Sequence, residues 1–180
     1  MVRDDFYEAL KEREVKEHKV IGIIPWRETC YGCKDAAHGG LHVRAYITEG
    51  DVIVGIAHTS ENQNGFPHVT HGGIVSTYFD EVLWHQTKLK NPCVNAMTIE
   101  MTVRYWHPTP PDVEVKIVAY PPKIDGRHYV VEGALILPDG TISATARVHY
   151  LTIRQDTQIA EDEEKRILHN WEPLRTSIRF

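Results

Sequence analysis

The sequence predicts an α+β fold in which one long central helix is wrapped by a curved antiparallel sheet of five to six strands. Two observations lead to this prediction. Apolar side chains recur at helical spacing from residue 71 to about residue 90, as they do in a helix with one buried face. Segments with alternating apolar and polar residues lie on both sides of this stretch, and turns rich in Pro, Gly and Asp separate them.

The long helix has one apolar face and one face of small and polar residues. The apolar positions are Ile74, Val75, Tyr78, Phe79, Val82 and Leu83. The opposite face carries Gly73, Ser76, Thr77, Asp80 and Trp84. A carboxylate therefore sits among small and hydroxylated neighbours on a largely apolar helix. Asn91 and Pro92 are expected to end the helix, because the residue before a proline disfavours the helical conformation.

Six segments have the alternating pattern of strands. They are residues 41–48, 52–58, 98–105, 113–120, 128–137 and 141–153. The first two are joined by a tight turn before the helix, and the other four follow it as an antiparallel meander. Residues 4–18 are expected to form a surface helix. The tail is expected to contain a short helix near residues 159–169 and then an irregular end.

Gly72 and Gly73 open the long helix, where four backbone N–H groups have no intrahelical partner. Such a helix start can bind an anion, and glycine lets another molecule approach the backbone closely. Asp80 follows Gly73 by seven residues, or ~10 Å along the axis. A reacting side chain must come within ~3 Å of its target atom. If both features serve one reaction centre, they come from two copies of the chain, which predicts a symmetric dimer with shared sites.

Composition and charge exclude several classes of protein. The net charge of −5 gives no polycationic surface for nucleic acid. No apolar run approaches the ~20 residues of a membrane-spanning helix, and the polar N-terminus does not resemble a signal peptide. The 3 cysteines are an odd number, which argues against a disulfide framework and fits a reducing compartment. The sequence therefore predicts a cytoplasmic protein without a nucleic-acid or membrane partner.

Known catalytic and nucleotide-binding motifs are missing from the sequence. It contains no GxSxG, HExxH, GxGxxG or Walker loop. Cys30 and Cys33 form a single CxxC, whereas a four-ligand zinc site needs a second pair; His38 and His42 are nearby and Cys93 is distant in sequence. A redox role is less favoured than a metal, since no βαβ pattern surrounds the motif. The preferred interpretation is a tight structural turn with no metal site.

Three motifs occur together in a characteristic order. They are CYGC followed by GGLHV from Cys30, HGG with an aspartate eight residues after its first glycine, and TIEMTVRYWHPTP from Thr98. In this order and spacing the chain resembles the hot-dog-fold acyl-thioesterases, most closely the PaaI-like branch of the 4-hydroxybenzoyl-CoA thioesterase superfamily. The resemblance covers residues 30–153. It implies a hot-dog domain at residues 29–154, between an extension with a helix at 1–28 and a tail at 155–180.

The resemblance implies hydrolysis of acyl-CoA or acyl-carrier-protein thioesters by a homodimer or a dimer of dimers, with coenzyme A as part of the substrate and no separate cofactor. Asp80 would act as general base or nucleophile, with Glu81 in reserve. Backbone N–H groups of Gly72 and Gly73 would stabilise the oxyanion. Thr98 matches a position at which relatives carry a hydroxyl that orients water. Its alternative role is an ordinary strand threonine facing solvent.

Four further residues are expected to contact the substrate. They are Asn64, His71, Thr77 and Trp84. Related proteins use an amide from the loop before the helix to bind the carbonyl, although here this loop is one residue longer than usual. A lone loop histidine such as His71 is more often structural, and Trp84 is expected to pack at a subunit interface or to line the acyl slot rather than to stack on a nucleotide. Two other functions stay open: a non-catalytic acyl-CoA-binding module, and another hot-dog enzyme such as an enoyl-thioester hydratase, whose usual Asp/His pair is not found beside HGG.

Overall fold

The computed structural model describes residues 5–92, 95–153, 168–169 and 175–180. Its two α-helices are α1 (Asp5–Lys11) and α2 (Gly72–Lys90). Its strands are β1 (Glu17–Ile24), β2 (Trp26–Arg27), β3 (Arg44–Thr48), β4 (Val52–His58), β5 (Asn64–Phe66), β6 (Val69–Thr70), β7 (Asn95–Tyr105), β8 (Glu114–Ala119), β9 (Lys123–Asp125), β10 (His128–Ile136), β11 (Ile142–Ile153), β12 (Leu168–His169) and β13 (Ser177–Arg179). Neither of these helices is long and apolar enough to cross a membrane.

Among the described residues, nine strands form one antiparallel sheet around α2. Its order is β13-β1-β3-β4-β8-β10-β11-β7, and β9 pairs with β10 beside this path. The six predicted strands are β3, β4, β7, β8, β10 and β11, and together with α2 they confirm the predicted α+β hot-dog architecture. The first predicted strand is shorter than expected because residues 41 and 43 bond to the CxxC turn: the Leu41 N–H donates to Tyr31 O and the Val43 N–H to Gly32 O.

Segments outside the six predicted strands enlarge the sheet beyond the expected five or six. Strand β1 pairs with β3 on one side and with β13 on the other. The expected irregular end of the tail is thus wrong, because residues 177–179 pair with β1. The N-terminal helix covers only Asp5–Lys11 of the predicted 4–18. Most of the helix expected near 159–169 lies outside the described residues, but Leu168–His169 pairs with β2. The strands β2, β12 and β13 contain only two or three residues each, so their sequence signal is weak.

The apolar face of α2 forms the centre of the core. Tyr78, Phe79, Val82 and Leu83 are fully buried against the sheet. Two strand glycines permit this close contact: a Cβ added to Gly55 would lie 2.3 Å from Val82 Cγ2, and one added to Gly133 would lie 2.7 Å from Leu83 Cδ1. The helix axis is therefore held near the sheet, which fixes the directions in which its other faces point.

Candidate active site

The adjacent carboxylates of Asp80 and Glu81 have different surroundings. Asp80 is exposed, and its Oδ1 accepts a hydrogen bond of 2.8 Å from the Thr98 hydroxyl. The Glu81 side chain is only 15% exposed; its Oε2 accepts from the Cys30 thiol at 2.7 Å, and its Oε1 lies 3.4 Å from His85 Nε2. Successive residues on a helix point ~100° apart, which explains the separation. The structure thus joins Asp80 with Thr98 and places the reserve candidate Glu81 in another cluster.

The pair formed by Asp80 and Thr98 lies at one margin of the sheet. Thr98 is on β7, which is the last strand in the sheet order among the described residues. Thr98 is exposed, as expected for an ordinary solvent-facing threonine, and yet it donates to Asp80. Because its hydroxyl occupies only one carboxylate oxygen, Oδ2 can still accept a proton or hydrogen bond from another molecule.

At the start of α2, only one of the two glycine N–H groups that were expected to bind a ligand is free to do so. The Gly73 N–H donates to Nδ1 of His71 at 2.8 Å, and the N–H groups of Ile74 and Val75 donate to the His71 carbonyl. Within the described part of the chain, the Gly72 N–H has no hydrogen-bond acceptor. His71 is thus the N-cap of the helix, and Gly72 rather than Gly73 has the N–H that is available to a ligand.

Tyr105, at the end of β7, supports the same helix start. Its hydroxyl donates to the Gly72 carbonyl at 2.8 Å and lies 2.8 Å from the Ser76 hydroxyl. No sequence motif singles out Tyr105 as a site residue, since its distance from Gly72 depends on the docking of β7 beside the helix. The only signal in the sequence was its place at the end of the strand motif that begins at Thr98. Tyr105 and Ser76 are therefore further residues of the candidate site.

A cavity of about 490 Å³ opens beside the helix start. The residues that line it include Gly72, Gly73, Val75, Tyr105, His107 and Pro108. Its size is in the range of small-molecule pockets, and much of its lining is apolar. Asp80 is not among the lining residues described for this cavity. Within one chain, the structure therefore does not bring Asp80 and the helix start to a common cavity.

The other residues predicted to contact the substrate differ in whether their polar atoms already have a hydrogen-bond partner. Thr77 donates to the Gly73 carbonyl at 2.9 Å, and Trp84 Nε1 donates to the Ala96 carbonyl at 2.8 Å. Both side chains therefore stabilise the helix and its neighbouring strand. The Asn64 Oδ1 is buried and has no hydrogen-bond partner among the described residues. Its neighbour Gly65 packs directly on His71, which places this loop beside the helix start.

A buried tyrosine on the adjacent strand lies near both carboxylates. Tyr150 is on β11 and pairs across the sheet with Thr98. Its hydroxyl is buried without a partner in the described residues. Burial, followed by the negative charges of Asp80 and Glu81, raises the pKa of Tyr150 well above its usual value. The hydroxyl is therefore protonated at neutral pH and is a donor available near this face of α2, which the alternation of β11 alone did not reveal.

Comparisons with known proteins give a consistent result for the fold. Residues 68–144 match the family model of the thioesterase superfamily. Three solved structures share the architecture. A thioesterase superfamily protein is 20% identical, with a TM-score of 0.58 over 63% of this chain and 55% of its own length. The PaaI protein of the E. coli phenylacetic acid degradation operon is 13% identical, with a TM-score of 0.59 over 67% of this chain and 86% of its own.

The third structure is a thioesterase of Haemophilus influenzae, which is 12% identical, with a TM-score of 0.61 over 71% of this chain and 89% of its own. The chain thus spans little more than half the length of the first of the three. No curated protein matches the sequence. At these identities the structural likeness concerns the fold. Together with the match over residues 68–144, it confirms the hot-dog fold and the resemblance to the thioesterase superfamily that the sequence motifs predicted.

Proposed function

We propose that the protein hydrolyses thioesters of coenzyme A or of an acyl carrier protein, with Asp80 as the reacting carboxylate. The observation that carries this proposal is the hydrogen bond of 2.8 Å between Thr98 and Asp80. It holds an exposed carboxylate on the central helix in a fixed orientation, with one oxygen left free. The segment that matches the thioesterase superfamily model, residues 68–144, contains both residues and the helix start.

In the general-base route, the free oxygen of Asp80 takes a proton from water while the water oxygen attacks the thioester carbonyl. The tetrahedral intermediate then collapses, the carbon–sulfur bond breaks, and the thiolate receives the proton from Asp80. In the nucleophilic route, Asp80 attacks the carbonyl itself, and water hydrolyses the resulting anhydride. Thr98 fixes the carboxylate in both routes, and it also lies close enough to orient the attacking water.

The Gly72 N–H is the proposed oxyanion donor, since it has no acceptor among the described residues. A donor of this type stabilises the transition state by about 3 kcal/mol. His71 caps the helix through Gly73, and Tyr105 binds the Gly72 carbonyl; both interactions orient the peptide groups on either side of the donor. Asn64, whose buried Oδ1 has no hydrogen-bond partner among the described residues, belongs to the loop beside the helix start.

The proposed site combines Asp80 of one subunit with Gly72 of the other. Seven residues of helix, or ~10 Å, separate Gly73 from Asp80, and Asp80 does not line the cavity at the helix start. Strand β7 is eleven residues long and exposes the apolar side chains of Met97 and Ile99. An apolar strand at the margin of a sheet is a template for pairing with another chain. We therefore assign β7 to a homodimer interface, with a dimer of dimers as the larger assembly.

The experiment that tests this function measures thiol release from a panel of acyl-CoAs and acyl-carrier-protein thioesters. We expect Asp80→Asn to lower kcat by roughly 10²- to 10⁴-fold, which is the usual contribution of a general base. Asp125→Asn is the matched control, because Asp125 is equally exposed but lies on β9. Loss of activity in Glu81→Gln with full activity in Asp80→Asn would transfer the role to Glu81. Binding of the thioesters without cleavage by the wild type would instead indicate an acyl-CoA-binding module.

A further inference from the structure

The CxxC turn and the central helix form a cluster of three side chains with soft and acidic ligand atoms. The sulfur atoms of Cys30 and Cys33 and a carboxylate oxygen of Glu81 all lie within 4.8 Å of one another. Cys33 is buried, and Cys30 and Glu81 are partly buried. The two cysteines are not joined by a disulfide. The sequence contained only one CxxC, and the structure supplies a third ligand from a helix 48 residues further on than Cys33.

The turn is built to lie directly on Glu81. A Cβ added to Gly32 would lie 2.6 Å from Glu81 Oε2 and 2.9 Å from Glu81 Cβ, so only glycine permits this approach. A backbone hydrogen bond also fixes the turn, because the Val43 N–H donates to the Gly32 carbonyl at 3.0 Å. Both sulfurs are thus presented to the carboxylate by a fixed backbone rather than by chance contact of flexible side chains.

Polar contacts around the cluster favour the binding of a cation. The backbone N–H of Arg27 donates to Cys33 Sγ at 3.2 Å, and the Cys33 thiol donates to the Arg27 carbonyl at 3.5 Å. The N–H contact would stabilise the negative charge that this sulfur gains when it binds an ion. On the other side, His85 Nε2 lies 3.4 Å from Glu81 Oε1, the oxygen that does not contact Cys30. Metal-binding carboxylates are commonly oriented by an outer polar partner at such a position. The cluster therefore has three ligands and supporting partners for two of them.

We propose that Cys30, Cys33 and Glu81 bind one divalent zinc-like ion, with His85 orienting the carboxylate and a water in the fourth position. Two thiolates and one carboxylate are a ligand set that suits Zn²⁺. Zn–S and Zn–O bonds are ~2.3 and ~2.1 Å long, so ligand atoms around one ion are ~3.5 Å apart, and small side-chain movements complete the site. On binding, the two thiols release two protons to solvent, and one of these is the proton that Cys30 donates to Glu81 in the metal-free protein.

The ion would join residues 26–34 to the middle of α2. It lies on the side of the helix that Glu81 faces, away from the hydrogen bond between Asp80 and Thr98. The proposal therefore does not depend on the proposed hydrolysis, and metal binding can be measured without any substrate. Because the ion binds the folded chain, it should raise the midpoint of thermal unfolding.

The test uses the full-length protein, freed of metal by a chelator and kept reduced. It is titrated with Co²⁺, whose thiolate complexes absorb strongly in the near ultraviolet, and the bound ion is then displaced with Zn²⁺. We expect one equivalent of Co²⁺ with thiolate absorption. The signal should be lost in Cys33→Ser and weakened at least tenfold in Glu81→Gln. His85→Gln should reduce affinity by roughly 10- to 100-fold, as outer-shell substitutions do. Cys93→Ser, which removes the remaining cysteine of the sequence, is the matched control and should bind normally.

A second measurement uses only the wild-type protein, so it remains valid if the variants fail to fold. In the wild-type protein, Zn²⁺ should protect Cys30 and Cys33 from alkylation, as mapped by mass spectrometry, and leave the modification of Cys93 unchanged. The absence of thiolate absorption, or an unaltered signal in folded Cys33→Ser, would overturn the proposal. So would equal alkylation of Cys30 and Cys33 with and without Zn²⁺, or a Cys30–Cys33 disulfide that forms in air while excess Zn²⁺ is present.

Discussion

Asp80 and Glu81 are neighbours in the sequence, but their surroundings give them separate chemistry. The Thr98 hydroxyl binds Asp80, whereas Glu81 is enclosed by Cys30 and His85. The order of the motif favoured Asp80, and the helical rotation of ~100° explained why only one of the two can face a given site. The sequence could not reveal what each side chain meets, because the partners come from residues up to 51 positions away.

Gly72 allows a direct test of the proposed oxyanion donor. Gly72→Pro removes the N–H at the first residue of α2, where proline suits the helix, and the ψ of 133° at His71 is compatible with a following proline. We expect kcat to fall by roughly 10²-fold while the fold is kept. Gly72→Ala is the matched control: it keeps the N–H, and its Cβ makes the same close contact with the Tyr105 ring. Equal activity of the two variants in steady-state assays would exclude the Gly72 N–H.

The hydroxyl of Thr98 is expected to contribute to catalysis. Thr98→Val keeps the shape of the side chain and the exposed strand position but removes the hydroxyl that donates to Asp80. Since the hydrogen bond fixes the reacting carboxylate, we expect kcat to decrease about tenfold or more with a small change in KM. Thr98→Ser, which restores the hydroxyl, should recover most of the activity. A valine variant with wild-type kcat would show that Thr98 is only a strand residue.

At the scale of elements, helix α2 is the part that organises the molecule. Its apolar face packs on the sheet, its start contributes Gly72, and its middle carries both carboxylates. Its bounds, residues 72–90, agree closely with the prediction, because a helix of five turns with a buried stripe and a following proline has a strong sequence pattern. The docking of β7 beside it depends instead on sheet register. That register brings Tyr105 to Gly72 and Thr98 to Asp80.

The contact of α2 with the loop before it predicts how the stability of the fold depends on pH. Tyr78 is buried, which raises its pKa to about 12, and its hydroxyl donates to Gln63 Oε1 at 3.1 Å. An unfolded tyrosine has a pKa of about 10. Because the folded pKa is the higher one, Tyr78 contributes stability that is complete below pH ~10 and is lost as the pH rises towards 12.

Tyr78→Phe should therefore be less stable than the wild type by about 1 kcal/mol at neutral pH. This difference in the free energy of unfolding should shrink steadily above pH ~10. Urea unfolding at a series of pH values measures it. Tyr7→Phe serves as control, since Tyr7 lies on α1 with its ring stacked on Trp106 and is not among the groups that shift the pKa of Tyr78. Its substitution should leave the pH dependence as in the wild type. A constant difference between wild type and Tyr78→Phe up to pH 12 would contradict the argument.

At the scale of the whole molecule, the exposed apolar strand β7 predicts that two chains associate along this margin of the sheet. Ile99 is 51% exposed on this strand, and Ile124 is 50% exposed on β9. Ile99→Lys introduces a charge into the proposed interface, so we expect a shift towards monomer in analytical ultracentrifugation and a parallel loss of thioester hydrolysis. Ile124→Lys makes the same chemical change elsewhere and should leave both properties unaltered. An active, monomeric Ile99→Lys protein would refute sites shared between subunits.

Complementation tests the shared site more directly. In a mixture of Asp80→Asn and Gly72→Pro subunits, each heterodimer has one site with an intact aspartate and an intact helix start, and one site with both defects. Heterodimers make up about half of a random mixture, so about a quarter of wild-type activity should return. If each chain supplies a complete site, mixing will restore no activity. Subunit exchange is verified by mass spectrometry of the intact dimers.

The sequence by itself determined the central helix, the six main strands and the resemblance to the thioesterase superfamily, because periodic burial and local motifs are properties of short segments. Only the tertiary structure decided which groups meet. In the folded chain, the Gly73 N–H donates to His71 and the Tyr105 hydroxyl donates to the Gly72 carbonyl. Glu81 lies against Cys30 and Cys33. The physical reason is that these contacts depend on how strands dock around the helix. That docking is fixed by packing and register between distant segments, and no local pattern in the chain records it.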